Sequence, residues 1–193
     1  MQPLHYGIVS ELIGAIEQQG AVTESLLIIT GSMGAGKSAV LGEASDILAL
    51  RHISHAAIDL DGLGLAYLPS AASSDDVMYR NLQSICQNYA AAGVRRIVLA
   101  RAMEDRVELE SCRGVVLATN TMVCRLIASI ETMQRRVETR ESGLAQQQYV
   151  ARVSKLNAIL DRARLENFVV FNENRSVSDV ANEMLIKAGW ISA

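Results

Sequence analysis

A chain of 193 residues, 50% hydrophobic and 4% aromatic, is the right size for one domain with its own core, and its two prolines and lack of low-complexity stretches exclude a disordered or repeat architecture. Eighteen basic against 21 acidic residues leave a formal charge of −3. That balance excludes the basic face of a general nucleic-acid binder, so any anionic ligand must be held by local groups. The cysteines (Cys86, Cys112, Cys124) are far apart and without metal-ligand spacing, as ordinary thiols of a reducing compartment are. Met1–Ser10 lacks the basic stretch and long apolar run of a secretory signal, and no apolar run reaches a membrane span. A cytoplasmic protein without membrane or nucleic-acid partners is expected; a homodimer is compatible with the sequence and not required by it.

In chain order, Val9, Leu12, Ile13 and Ile16 share one face of a helix over 8–20, which Gly20 ends. Leu26-Leu27-Ile28-Ile29-Thr30 is a short apolar run of the kind a fully buried parallel strand shows. Val40, Ala44, Ile47 and Leu48 predict a helix over 37–50. A second strand is expected at 55–60, then a loop with two glycines and Pro69. Met78, Leu82, Ile85 and Tyr89 set a helix over 75–92, stopped by Gly93, and Arg96–Ala100 is a third strand. A helix over 104–112 and a fourth strand, best placed at 122–126, come next. Helices over 129–141 and 145–166 and a fifth strand, Phe168–Phe171, follow. The last helix opens at Ser176, with Asp179 three residues on as a capping box, and stops at Gly189. Strands that alternate with helices predict parallel pairing, because parallel strands need long crossovers. The expectation is an α/β three-layer sandwich forming one domain over 1–193.

The strongest chemical signal is Gly31-Ser32-Met33-Gly34-Ala35-Gly36-Lys37-Ser38, a gapless match to G-x-x-x-x-G-K-[ST] between a buried strand and an amphipathic helix. Its glycines let the backbone turn tightly and approach phosphate oxygens. The freed N–H groups and the helix N-terminus, which includes Ala39, favour an anion. Lys37 can reach the β- and γ-phosphates, and the Ser38 hydroxyl can ligate magnesium. A nucleoside triphosphate with Mg2+ is the implied ligand. The absence of an N-K-x-D-like guanine motif tilts the choice to ATP.

Three more groups belong to the argument. Asp59-Leu60-Asp61 ends the second strand, and alternation along a strand sends both carboxylates to one side, at the edge facing the nucleotide. Arg101, Asp105 and Arg106 follow the third strand; Arg135, Arg136 and Arg140 lie on the helix after the fourth, with Arg136 and Arg140 on a shared face. Asn172 opens the loop after the fifth strand. The histidines His5, His52 and His55 have no partner spacing and read as structural or surface residues, and Trp190 as a packing anchor.

The loop, the Asp-x-Asp and the arginine-rich segments together resemble the small P-loop kinases: the gluconate, shikimate and adenylyl-sulfate kinases and the chloramphenicol phosphotransferase-like proteins. The resemblance covers nearly the whole chain, with the 8–20 helix as an addition. It implies a five-stranded parallel sheet in the order 2-3-1-4-5 and ATP-dependent phosphoryl transfer to a small-molecule hydroxyl. It also implies that Ser38, Asp59 and Asp61 serve the metal and that Asp61 orients and deprotonates the acceptor. Arg101 and Arg106 would grip that acceptor. Arg136 and Arg140, with Arg135 next, would lie on a lid over about 133–148 that closes on the phosphates. The loop at Asn172 would border the adenine. One departure stands out: the third strand ends in Ala100-Arg101, without a carboxylate at its tip, so Asp59 or Asp61 must substitute. Two other readings remain open, a nucleotide-binding regulatory module with little transferase activity and an antibiotic phosphotransferase whose acceptor pocket lies at 62–80, around Gly62, Gly64, Tyr67 and Pro69.

Overall fold

In the computed structural model, residues 23–69, 73–143 and 146–192 are described; the helix expected at 8–20 lies outside them. The five apolar runs form strands β1 (Thr23–Thr30), β2 (Ala56–Asp59), β3 (Arg96–Ala100), β4 (Ala118–Ile127) and β5 (Phe168–Phe171). All pair in parallel, in the order β2-β3-β1-β4-β5. Between them run α1 (Lys37–Leu50), the single turn α2 (Leu60–Leu63), α3 (Ser74–Ala91), α4 (Arg106–Val116), α5 (Ile130–Arg140), α6 (Gln146–Ala163) and, after β5, α7 (Val177–Lys187).

The strands read as unbroken apolar runs because both faces of the sheet are covered. On one face Leu27, Ile29, Val98, Cys124 and Leu126 pack with Val40, Ala44 and Leu48 of α1 and Val180 and Met184 of α7. On the other, Leu26, Ile28, Ile97, Leu99 and Val123 pack with Met78 and Leu82 of α3 and Leu109 and Cys112 of α4. Each fully buried Leu, Ile or Val stabilises by about 1.5–3 kcal/mol relative to exposure, so a one-residue slip that exchanges the faces is strongly opposed. No helix among the described residues is long and apolar enough to cross a membrane.

Local chemistry moved the boundaries of three elements. The Asp105 side chain caps α4 by accepting the Glu108 N–H at 2.8 Å, so the helix starts at 106 rather than 104. It runs on to Val116, where Leu117 turns left-handed at φ 54°. β4 extends beyond 122–126 because Ala118 and Asn120 pair with Thr23 and Ser25. The second strand stops at Asp59: Leu60 is fully buried and starts a helical turn. Asp61 therefore sits on a helix, and the alternation that was to align it with Asp59 does not apply. Ser176 caps α7 by accepting the Asp179 N–H at 3.1 Å and donates to the Asp179 carboxylate at 2.7 Å. This satisfies the capping signal with the return bond going to the hydroxyl.

Candidate active site

The parallel arrangement places the tips of β1, β2, β3 and β5 on one edge of the sheet. Gly31, Asp59, Arg101 and Asn172 therefore meet there although they are far apart in sequence. At the centre, the loop after β1 needs its glycines. Gly34 has φ 77°, and a Cβ there would stand 2.2 Å from the Met133 carbonyl oxygen in α5; Gly36 has φ 98°, and its Cβ would stand 2.3 Å from the Asn172 amide nitrogen. Neighbouring elements thus press directly on the loop backbone. The Asn172 amide donates to the Ala35 carbonyl at 2.8 Å, and the buried Ser32 hydroxyl donates to the Val153 carbonyl of α6 at 2.8 Å. Met33 packs against the core beneath.

Lys37 arches back over the loop and donates to the carbonyls of Gly31 at 3.0 Å and Ser32 at 3.3 Å. Burial pulls its pKa below the ordinary lysine value; the charges of Asp61 and Asp59 oppose this, and those of Arg140 and Arg101 add to it. Four side chains singled out in the sequence therefore act on one ammonium. An anion placed against it would restore the favoured charged state. Ser38 and Ala39 are exposed in the first turn of α1, and the Ser38 hydroxyl donates to Asp59 Oδ2 at 2.6 Å. A hydroxyl and a carboxylate are hard oxygen donors of the kind magnesium takes while keeping its waters, so this pair fits the ion.

The two carboxylates of Asp59-Leu60-Asp61 diverge. Asp59 serves Ser38, whereas Asp61, exposed on α2, accepts from Arg101 Nη1 at 3.1 Å. Arg101 also binds Glu108 through Nε and lies 3.7 Å from Asp75 through Nη2. Burial works against its charge, but the Glu108 hydrogen bond and the charges of Glu108 and Asp61 outweigh that and raise its pKa. Arg106 is exposed at the head of α4.

Arg136 and Arg140 also part company. Arg136 bridges two main-chain carbonyls, Gly34 at 3.2 Å and Asn172 at 2.9 Å, and so ties the loop tip to the turn after β5. Arg140, exposed at the end of α5, donates to Glu141 at 2.7 Å, and Arg135 is exposed. The 133–148 segment comprises the end of α5, residues 141–143 and the start of α6, apart from 144–145, which are not described.

Sequence reasoning did not find Glu173, Asp75 or Glu108. Glu173 accepts from the Ser129 amide at 3.2 Å, the Ser129 hydroxyl at 2.6 Å and the Thr132 hydroxyl. These bonds, the Ser129 hydroxyl first, hold its carboxyl below the usual range. It thereby locks the turn carrying Asn172 onto the head of the helix carrying Arg136. Its adjacency to Asn172 was the only signal; nothing in spacing links it to Ser129. His55 bonds Ser45 and the Ile53 carbonyl, both at 2.8 Å, and Trp190 packs on the core, whereas His52 is exposed and His5 lies outside the described residues. The three thiols are buried, and burial pushes each up to about 12.

No protein-family model and no curated protein matches the sequence. Solved structures do. A gluconokinase from Sinorhizobium meliloti is 16% identical, matching over 88% of this chain and 93% of that one at a TM-score of 0.55. The Mycobacterium tuberculosis APS kinase in complex with AMPPNP and APS is also 16% identical, over 87% and 99%, at 0.59. The Deinococcus radiodurans tunicamycin resistance protein is 13% identical, over 87% and 97%, at 0.61. This chain shares the fold of these structures, the P-loop kinase fold. The expected strand order, 2-3-1-4-5, is the order observed.

Proposed function

We propose that this protein binds ATP with Mg2+ and transfers the γ-phosphoryl group to a hydroxyl of a small molecule. The observation that carries the reading is the convergence on Lys37. A phosphate-binding loop, a Ser38–Asp59 pair suited to a metal and a second carboxylate, Asp61, surround one ammonium. The glycine-rich loop and the head of α1 present N–H groups to the phosphates. Lys37 leaves the Gly31 and Ser32 carbonyls to meet the β- and γ-oxygens, and Arg140 adds positive charge from the end of α5. Arg136 holds the loop tip against the turn at Asn172. Ser38 and Asp59 are the residues that would hold Mg2+, which when bound neutralises charge on the phosphate oxygens. Asp61 takes the acceptor proton as the acceptor oxygen bonds to Pγ; the bond from Pγ to the β–γ bridging oxygen breaks and ADP leaves.

ADP formation measured with Mg-ATP, with and without a panel of hydroxyl compounds, tests this. An acceptor that raises turnover well above the buffer rate, with loss in both Lys37→Ala and Asp61→Asn, supports it. Turnover that no acceptor stimulates would overturn it.

A second reading rests on the tip of β3, where Ala100-Arg101 supplies no carboxylate. It is a nucleotide-binding regulatory module with slow hydrolysis. Asp61→Asn separates the two, since a module without an acceptor keeps its slow rate in that variant.

A further inference from the structure

Building on the phosphotransferase reading, we infer that the hydroxyl acceptor is an uncharged or cationic molecule and not a carboxylate or phosphate ester. Arg101 sits beside Asp61 and is the side chain a carboxylated acceptor would use. A guanidinium recognises an anion by offering two parallel N–H groups along one edge. Each of the three nitrogens of Arg101 is already turned to a carboxylate: Nε to Glu108, Nη1 to Asp61 at 3.1 Å, and Nη2 to Asp75 at 3.7 Å. Nη1 also lies 3.2 Å from Met78 Sδ, which closes that side.

The exposures point the same way. The Arg101 side chain is 19% exposed, whereas Asp61 and Asp75 are 62% and 66% exposed. A molecule arriving from solvent therefore meets carboxylate oxygens first. One guanidinium against three carboxylates leaves a local charge of −2, from +1 and −3. The cations nearby in sequence or space do not reverse this: Arg152 is paired with Glu104 at 2.6 Å, Arg140 with Glu141 at 2.7 Å, Lys37 belongs to the phosphate loop, and Arg106 stands at the head of a helix capped by Asp105. Carboxylate oxygens accept hydrogen bonds from hydroxyl and ammonium groups and repel anions, so this cluster selects by repulsion as well as by attraction. Arg101 is then a positioning residue: it aims Asp61, and Glu108 fixes Arg101.

Compounds matched except for charge test the inference: glucitol against gluconate, uridine against uridine monophosphate, and glucosamine as the cation. With Mg-ATP fixed, the neutral or cationic members should exceed the anionic ones in kcat/KM by about tenfold or more. Preference for the anionic members would overturn the inference. In Asp75→Asn the ratio should shift toward the anions; an unchanged ratio counts against it. Sulfate titrated into the AMPPNP-loaded protein gives a reading independent of turnover. Wild type should show no sulfate binding beside the nucleotide and the Asp61→Asn/Asp75→Asn double variant should gain it, while sulfate binding to wild type would overturn the charge argument. A panel without any turnover would sink the phosphotransferase reading, whereas failure of the double variant to gain sulfate would sink the charge assignment, so the two failures are told apart.

Discussion

On the phosphate side of the site, nearly every contact runs through the main chain. Lys37, Arg136 and Asn172 all donate to backbone carbonyls of the loop or of the turn after β5, and Ser32 donates to a carbonyl of α6. On the acceptor side the contacts join charged side chains, with Arg101 shared among Asp61, Asp75 and Glu108. The difference separates geometry from charge. Under the proposed phosphotransfer, the first side would fix a shape that any nucleoside triphosphate with the same phosphates can use, and the second a charge pattern that would discriminate among molecules of similar shape.

Substitutions can break this comparison at chosen points. The largest effect is expected from Asp61→Asn, which should lower acceptor-dependent turnover by about 10²–10⁴-fold, as removal of a general base does, while nucleotide affinity holds. Lys37→Ala should lower turnover by about 10²–10³-fold and weaken nucleotide binding too, which marks it as belonging to the other side. Initial rates at saturating ATP and titration of an ATP analogue separate the two patterns. Gly34→Ala should cost about 1–2 kcal/mol for a left-handed backbone alone, with more from the meeting with Met133 O; urea unfolding reads it. Asn172→Ala leaves the Ala35 carbonyl without its donor, and the same measurement should show about 1–3 kcal/mol.

The smallest change sharpens the comparison by pH. The Ser129 and Thr132 hydroxyls hold the Glu173 carboxyl below its usual range. A depressed folded-state value contributes stability that is fully present above the ordinary glutamate range and is lost as pH falls through the lowered value. The gap in urea midpoint between wild type and Glu173→Gln should therefore narrow toward acid pH. A gap that is constant or widens in acid would show that Glu173 does not clamp the turn as a carboxylate.

The same contrast explains what could be read from the sequence. The phosphate loop is contiguous, its glycines are required by local backbone geometry, and so it stood out at once. The sheet order followed through a family resemblance, and the apolar runs marked the five strands because both sheet faces are buried. The charge network was harder to see. Asp61, Asp75, Arg101 and Glu108 come from α2, α3, the tip of β3 and α4, and no spacing rule joins four elements that meet only after folding. Asp61 was singled out by treating it as part of a strand, and its place on a helix gives it Arg101 as a partner. Arg101 was named as a grip for the acceptor; on the inference above, the three carboxylates around it favour an uncharged or cationic one. Glu173 was invisible because its donors, Ser129 and Thr132, lie at the head of α5, 44 and 41 residues earlier in the chain.

The division between a phosphate side and an acceptor side is tested most directly by calorimetric titration of AMPPNP with Mg2+ into wild type, Lys37→Ala and Asp61→Asn. The account predicts clear binding to wild type, strongly weakened binding to Lys37→Ala, and binding to Asp61→Asn within about twofold of wild type, a difference of under half a kcal/mol. No binding to wild type, or an equal loss in both variants, would contradict it.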